Sequence, residues 1–153
     1  MKMLSEYCLE KYGEKLYRLS LNGGMTCPNR DGTCGTRGCI FCGEGGSGDF
    51  AEAANLPVGE QIDRARARVG GKFRGNGYIA YFQAYTNPCA PVDYLERLFS
   101  EAIERPEVRV LSIATRPDCL GKDVLSLLKR LNEIKPVWVE LGLQTIHERT
   151  ARY

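Results

Sequence analysis

Val137-Trp138-Val139-Glu140-Leu141-Gly142-Leu143-Gln144 is the stretch whose reading decides the fold. In extended backbone, successive side chains point to opposite faces. Val137, Val139, Leu141 and Leu143 therefore share one face, and Trp138, Glu140, Gly142 and Gln144 share the other. An open parallel sheet carries helices on both sides and wants both faces apolar. A β/α barrel covers only its outer face with helices and can aim a carboxylate and an amide at a central site. The mixed face of this strand favours the barrel.

The same logic extends outward from it. A helix capped by Asp123 precedes the strand, with Val124, Leu127, Leu128, Leu131 and Ile134 as its apolar stripe. Val108 to Ala114 is a strand ended by Thr115-Arg116-Pro117-Asp118. Val92 to Glu104 is a helix that turns Leu95, Leu98, Phe99, Ala102 and Ile103 inward, and Pro106 closes it. Tyr78 to Ala84 is a strand bounded by Gly75-Asn76-Gly77 and Thr86-Asn87-Pro88. Val58, Ile62, Ala65 and Val69 mark a helix between Pro57 and Gly70-Gly71, and Lys15 to Leu21 alternates as a strand. Leu4 to Tyr12 is helical, with Ser5 in its cap and Gly13 at its end. Beyond Leu143, Gln144 to Tyr153 begins another helix.

Strand then helix, four times over, implies parallel pairing through crossover helices. The expected fold class is α/β, a partial (β/α) TIM-type barrel of about four βα units. Four strands cannot close a barrel, and complete ones run to about 250 residues. Residues 1–153 are thus expected to form the N-terminal portion of one larger core domain.

Composition narrows the class of protein. The chain is 43% apolar and 26% charged, which suits a packed globular domain rather than a disordered one. A net charge of +2 argues neither for nucleic acid nor for a membrane. No apolar run approaches the roughly 18–20 residues a membrane helix requires, and no signal-peptide core is present. The expected location is the cytoplasm, where thiols stay reduced and clustered cysteines bind metal more readily than they form disulfides.

Such a cluster stands between Cys27 and Cys42, where Cys27, Cys34, Cys39 and Cys42 lie among Gly, Pro, Asn, Asp and Thr. Cysteines in a turning loop of this kind are ligands, disulfides or redox thiols. A structural zinc cage would use all four, although only Cys39 and Cys42 have the tight C-x2-C spacing of common zinc modules. An iron–sulfur cluster would use three and leave one iron open. The loop leaves the C-terminal end of the first strand, the face on which barrel active sites are built, and that position supports the cluster. On pattern alone the two remain evenly matched.

The residues also carry a resemblance. Cys27-x11-Cys39-Ile40-Phe41-Cys42 is similar to the cluster loop of radical S-adenosylmethionine (SAM) enzymes. Its long first gap departs from the usual C-x3-C-x2-C of that superfamily and resembles the elongator catalytic-subunit-like branch. Four stretches agree with that branch in order: Thr26-Cys27-Pro28-Asn29-Arg30-Asp31-Gly32, Tyr81-Phe82-Gln83-Ala84-Tyr85-Thr86-Asn87, Ile113-Ala114-Thr115-Arg116-Pro117-Asp118 and Val139-Glu140-Leu141-Gly142-Leu143-Gln144-Thr145. They resemble most closely a bacterial subfamily of uncharacterised radical-SAM proteins.

The resemblance implies a [4Fe–4S] cluster on Cys27, Cys39 and Cys42, with S-adenosylmethionine chelated to the open iron. It implies reductive cleavage to methionine and a 5′-deoxyadenosyl radical that abstracts hydrogen from a substrate not encoded in these motifs. A one-electron donor such as flavodoxin or ferredoxin is implied as a partner. Phe41 would pack near the adenine. Gln83 and Asn87 stand where the superfamily's Gly-Gly-Glu-like motif binds the SAM amino group. Ala114 replaces the branch's glutamate, leaving Ser112 and Arg116 as weaker contacts, while Glu140 and Gln144 are the stronger ones. Cys34 is left over as a loop thiol, and no catalytic side chain is identified. The run Arg64/Arg66/Arg68/Lys72/Arg74 is read first as a solvated helix face, with RNA contact as the sharper alternative. The competing class of protein is a zinc-stabilised α/β binding module that uses Cys27, Cys34, Cys39 and Cys42 without catalysis.

Overall fold

The computed structural model describes residues 2–152. Its main elements are α1 (Leu4–Tyr12), β1 (Leu16–Leu21), α2 (Val58–Val69), β2 (Gly77–Phe82), α3 (Val92–Glu104), β3 (Val108–Thr115), α4 (Lys122–Ile134), β4 (Val137–Leu141) and α5 (Glu148–Ala151). The strands form one sheet in the order β1-β2-β3-β4, and every neighbouring pair is parallel. Because the order never reverses, right-handed crossovers put α2, α3 and α4 on the same face. The core lies there. Leu19, Leu21, Ala80, Phe82, Leu111 and Ile113 of the strands pack against Ile62 of α2, Leu95 and Phe99 of α3, and Leu127 of α4. Phe82 and Phe99 meet edge-on with ring centroids 5.1 Å apart, joining β2 to α3.

The expected strand and helix ends shift in several places. β2 stops at Phe82 rather than Ala84, and β4 stops at Leu141 rather than Leu143. α4 starts behind Gly121 instead of being capped by Asp123, whose carboxylate accepts the Val124 N–H at 2.9 Å. α1 begins after Met3, whose N–H is held by the Glu6 carboxylate at 2.9 Å, so Ser5 lies inside the helix. Of the expected helix from Gln144 to Tyr153 only the short turn α5 forms, and Tyr153 lies outside the described residues. In β3 the pairing jumps from Val108 to Val110, so Arg109 is an extra residue that turns outward to Glu14 at 3.0 Å.

The other face of the sheet carries Arg18, Tyr81, Ser112 and Glu140 beside the buried Ile79 and Val110. Arg18 Nη2 on β1 lies 2.8 Å from Glu140 Oε1 on β4, so the two long side chains meet across β2 and β3. Ser112 Oγ donates to Glu140 Oε1 at 2.7 Å, and the Arg18 guanidinium stacks 4.6 Å from the Tyr81 ring centre. α1 sits at the opposite end of the strands from the cysteine loop, with Tyr7 packed edge-on against Trp138 at 5.9 Å.

Behind the sheet, Glu107 collects Arg66 Nη1 at 2.8 Å and Arg105 Nη2 at 2.8 Å. Burial alone would raise its carboxyl, but its own backbone N–H and the two guanidinia outweigh burial and hold it below the usual range. A depressed carboxylate stabilises the fold fully above its unfolded pKa, and that contribution is lost as pH falls through the folded value. Glu107→Gln is therefore expected to cost about 2 kcal/mol at pH 7 and to flatten the acid limb of stability below about pH 4.5. Urea midpoints of both proteins between pH 3 and 7 check this. Parallel curves would contradict it.

Among the described residues no helix is long and apolar enough to cross a membrane.

Candidate functional site

The residues following β1, β2, β3 and β4 converge at the C-terminal edge of the sheet on a cleft of about 620 Å³. That volume lies within the range of small-molecule sites. Cys27, Cys39 and Cys42 line it, together with Phe41, Gln83, Arg116, Glu140 and Gln144. Cys34 is exposed and is not part of the wall.

The loop takes this shape for local reasons. The Cys27 carbonyl accepts the N–H groups of Arg30 and Asp31 at 2.7 and 3.0 Å, forming a tight turn just after the first cysteine. Arg30 then reaches along the loop, donating from Nη2 to the carbonyls of Cys42 and Gly43 at 3.0 and 2.7 Å. One guanidinium thus ties the start of the loop to its end. Gly38 permits this contact: its φ is +73°, and a Cβ there would stand 2.8 Å from Arg30 Nε. The glycine-rich tail of the loop, residues 43–48, presses on Tyr85. A Cβ at Gly46 would stand 2.4 Å from that ring, and the Tyr85 N–H donates to the Gly46 carbonyl at 2.8 Å.

Each cleft cysteine meets a polar side chain at its sulfur. Thr86 Oγ1 donates to Cys27 Sγ at 3.1 Å, and Asn29 Nδ2 donates to Cys39 Sγ at 3.0 Å. Ser47 Oγ lies 3.9 Å from Cys42 Sγ. Among the described residues no three His, Cys, Asp or Glu side chains converge closely enough to ligate one metal ion.

Arg116 commits three of its five N–H groups to neighbouring side chains. It holds Asp118 through two bonds of 2.9 and 2.6 Å and donates from Nη1 to Asn29 Oδ1 at 2.7 Å. The Arg116 guanidinium keeps the Asp118 carboxyl below the usual carboxylate range, and Asp118 in turn raises Arg116. Nearby, burial first and the neighbouring Cys89 second push the Cys119 thiol up to about 11, which suits an inert structural thiol.

Two residues expected to contact a cofactor are placed elsewhere. Asn87 is 0% exposed and outside the cleft wall. Its amide donates to the carbonyls of Phe82, Ala84 and Ala114 at 3.2, 3.2 and 3.4 Å, supplying partners where the β2 ladder has ended. Ser112, also buried, reaches the cleft only through Glu140. Three of the five basic residues in the run pair with neighbours: Arg64 with Glu60 at 2.6 Å, Arg66 with Glu107 at 2.8 Å, and Arg68 with Glu52. His147, the sole histidine, stands exposed before α5 and makes no capping bond with its side chain.

No family model matches the chain. It is 47% identical over 148 residues to "Uncharacterized protein YtqA" of Bacillus subtilis (strain 168), covering 97% of this chain and 46% of that protein. It is 40% identical over 141 residues to "Protein YhcC" of Escherichia coli (strain K12), covering 92% and 44%. Uncharacterized protein MJ0486 of Methanocaldococcus jannaschii is 33% identical over 147 residues, covering 94% and 44%. The chain thus spans less than half the length of each of these relatives.

The side chains at the sulfurs were not singled out from the sequence. Asn29 and Ser47 stand among turn residues and read as turn formers. Thr86 lies 59 positions from the cysteine it meets, a distance only the parallel β1–β2 pairing closes.

Proposed function

We propose that the chain is the N-terminal part of a radical-SAM enzyme built on a partial (β/α) barrel. Cys27, Cys39 and Cys42 would hold a [4Fe–4S] cluster, and S-adenosylmethionine would occupy the cleft beside it. One observation carries this reading: the cleft takes in three of the four loop cysteines and leaves Cys34 outside. A zinc cage needs all four thiolates, drawn to about 2.3 Å from one ion. A four-iron cluster with one open iron would take three thiolates, the number that the cleft wall supplies. The polar groups at the three sulfurs fit thiolates that carry cluster charge. When bound, the cluster and S-adenosylmethionine would together supply methionine and a 5′-deoxyadenosyl radical for hydrogen abstraction.

The chain's own residues then have distinct tasks. Glu140, held by Arg18 and Ser112, presents a fixed carboxylate that can accept from an ammonium or a ribose hydroxyl. Gln83 and Gln144 add amides to the wall, and Phe41, 63% exposed, offers its ring to an adenine. Arg116, held by Asp118 and Asn29 in the cleft wall, keeps two N–H groups free of those bonds that a ligand carboxylate could accept from. The Arg18–Glu140 pair that joins β1 to β4 across one face supports a barrel, as do Val139 and Leu141 on β4, which stay 39% and 53% exposed where a further unit would cover them. Flavodoxin or ferredoxin suits the one-electron donor, and the compartment proposed is the cytoplasm. An RNA substrate rests on the resemblance alone.

Anaerobic reconstitution with iron and sulfide, then reduction in the presence of S-adenosylmethionine, tests the proposal. The expected products are methionine and 5′-deoxyadenosine. A full cluster that yields no 5′-deoxyadenosine would overturn the chemistry, and bound zinc without iron would favour the binding module.

A further inference from the structure

We infer that Asn29 is a positioning residue that holds a hydrogen bond on the Cys39 sulfur, and that this bond, locked by Arg116 and Asp118, raises the reduction potential of the cluster. The inference rests on the cluster reading above and adds a task for residues which that reading leaves unassigned.

Asn29 touches both ends of a relay. Its Oδ1 accepts from Arg116 Nη1 at 2.7 Å, and its Nδ2 donates to Cys39 Sγ at 3.0 Å. A guanidinium has only donors, so it fixes which way the amide faces. The flipped amide would set an NH2 group against Arg116 and a carbonyl oxygen against the sulfur, losing both bonds. Arg116 is itself held by Asp118 through two bonds of 2.9 and 2.6 Å, and the group lines one wall of the cleft. The result is a chain of oriented groups, Asp118–Arg116–Asn29–Cys39, that ends in an N–H aimed at sulfur.

Such a donor favours the more negative state of whatever the sulfur ligates. Reduction adds one electron to the cluster and its thiolates, and an N–H pointed at sulfur stabilises that added charge. Thr86 performs the same task at Cys27, donating at 3.1 Å from a side chain that is 4% exposed. The exposed Cys34 is not among the sulfurs so served. Removing a donor destabilises the reduced state and lowers the midpoint potential.

The test is an anaerobic redox titration of the reconstituted protein, followed by the electron paramagnetic resonance signal of the reduced cluster without S-adenosylmethionine. Asn29→Leu is expected to change the reduced-to-oxidised ratio at fixed potential by about tenfold, a downward shift of about 59 mV for a one-electron couple. Thr86→Val, near in shape, is expected to shift it in the same direction. Arg116→Lys, which keeps the positive charge beside the sulfurs but loses the fork that holds the Asn29 amide, is expected to lower the midpoint in the wild-type background and to lose most of that effect beside Asn29→Leu. Fully additive shifts would overturn the relay. Unchanged midpoints in Asn29→Leu and Thr86→Val with iron content intact would overturn the inference as a whole. If Asn29→Leu does not hold iron, Thr86→Val and Arg116→Lys decide, and unchanged midpoints in both overturn it. A wild-type protein that forms no four-iron cluster overturns the cluster reading and this inference together. A wild-type cluster with insensitive variants overturns only the inference.

Discussion

Cys39→Ala is expected to strip the reconstituted protein of its cluster iron and of the broad visible absorbance that goes with it, whereas Cys34→Ala leaves both at the wild-type level. The contrast follows from placement. Cys39 lines the cleft and carries the Asn29 bond, while Cys34 is exposed outside it. A cluster held by three thiolates cannot spare one, because the iron it leaves has no other soft ligand in the wall. Iron and acid-labile sulfide per chain, measured on both variants side by side, provide the check. Equal loss in both variants, with zinc in the wild type, would return Cys34 to the ligand set and favour the four-cysteine module.

The largest expected loss of stability comes from Phe99→Ala. Phe99 is 0% exposed and stands edge-on to Phe82 within the helix-covered core. Emptying such a site removes the burial of a large side chain and leaves a cavity, together worth about 3–5 kcal/mol. Against a typical domain stability of about 5–15 kcal/mol, that is a large share. Urea midpoints measure it directly. A change under about 1 kcal/mol would mean that α3 does not seal β2 as described. The loss should also reach the cleft, because the Phe82 carbonyl is one of the three that Asn87 braces.

The helices were legible almost to the residue where proline or glycine punctuates them. Pro57 and Gly70 frame α2, and Pro91 and Pro106 frame α3, so the observed Val58–Val69 and Val92–Glu104 match the expected spans. Strand ends were less legible because apolar alternation outlasts the ladder. Ala84 and Leu143 continue the pattern of β2 and β4 after pairing has stopped. The face assignment of Glu140 followed from alternation alone, and its position beside Arg18 and Ser112 bears that out.

The candidate site divides in the same way. Spacing marked the four loop cysteines without choosing among them, the family resemblance put Cys27, Cys39 and Cys42 forward, and Gln83 and Gln144 at their strand ends do line the wall. Asn87 misled because a polar residue at a strand end looks like a ligand, while the backbone carbonyls around it had the stronger claim. The bonds of Asn29 to Cys39 and of Thr86 to Cys27 were not legible because a side chain's bond to a sulfur depends on the loop's three-dimensional course, which no local pattern encodes.

Trp138 is the protein's sole tryptophan, and it stands where Tyr7 of α1 meets β4. The chain therefore carries its own optical gauge, seated at the joint between its first helix and its last strand. The emission wavelength of that indole reports whether the joint is wet or closed, while the far-ultraviolet signal follows the helices as a set. Comparing the two during denaturation separates a loosening of the α1 side from collapse of the whole, with no label attached.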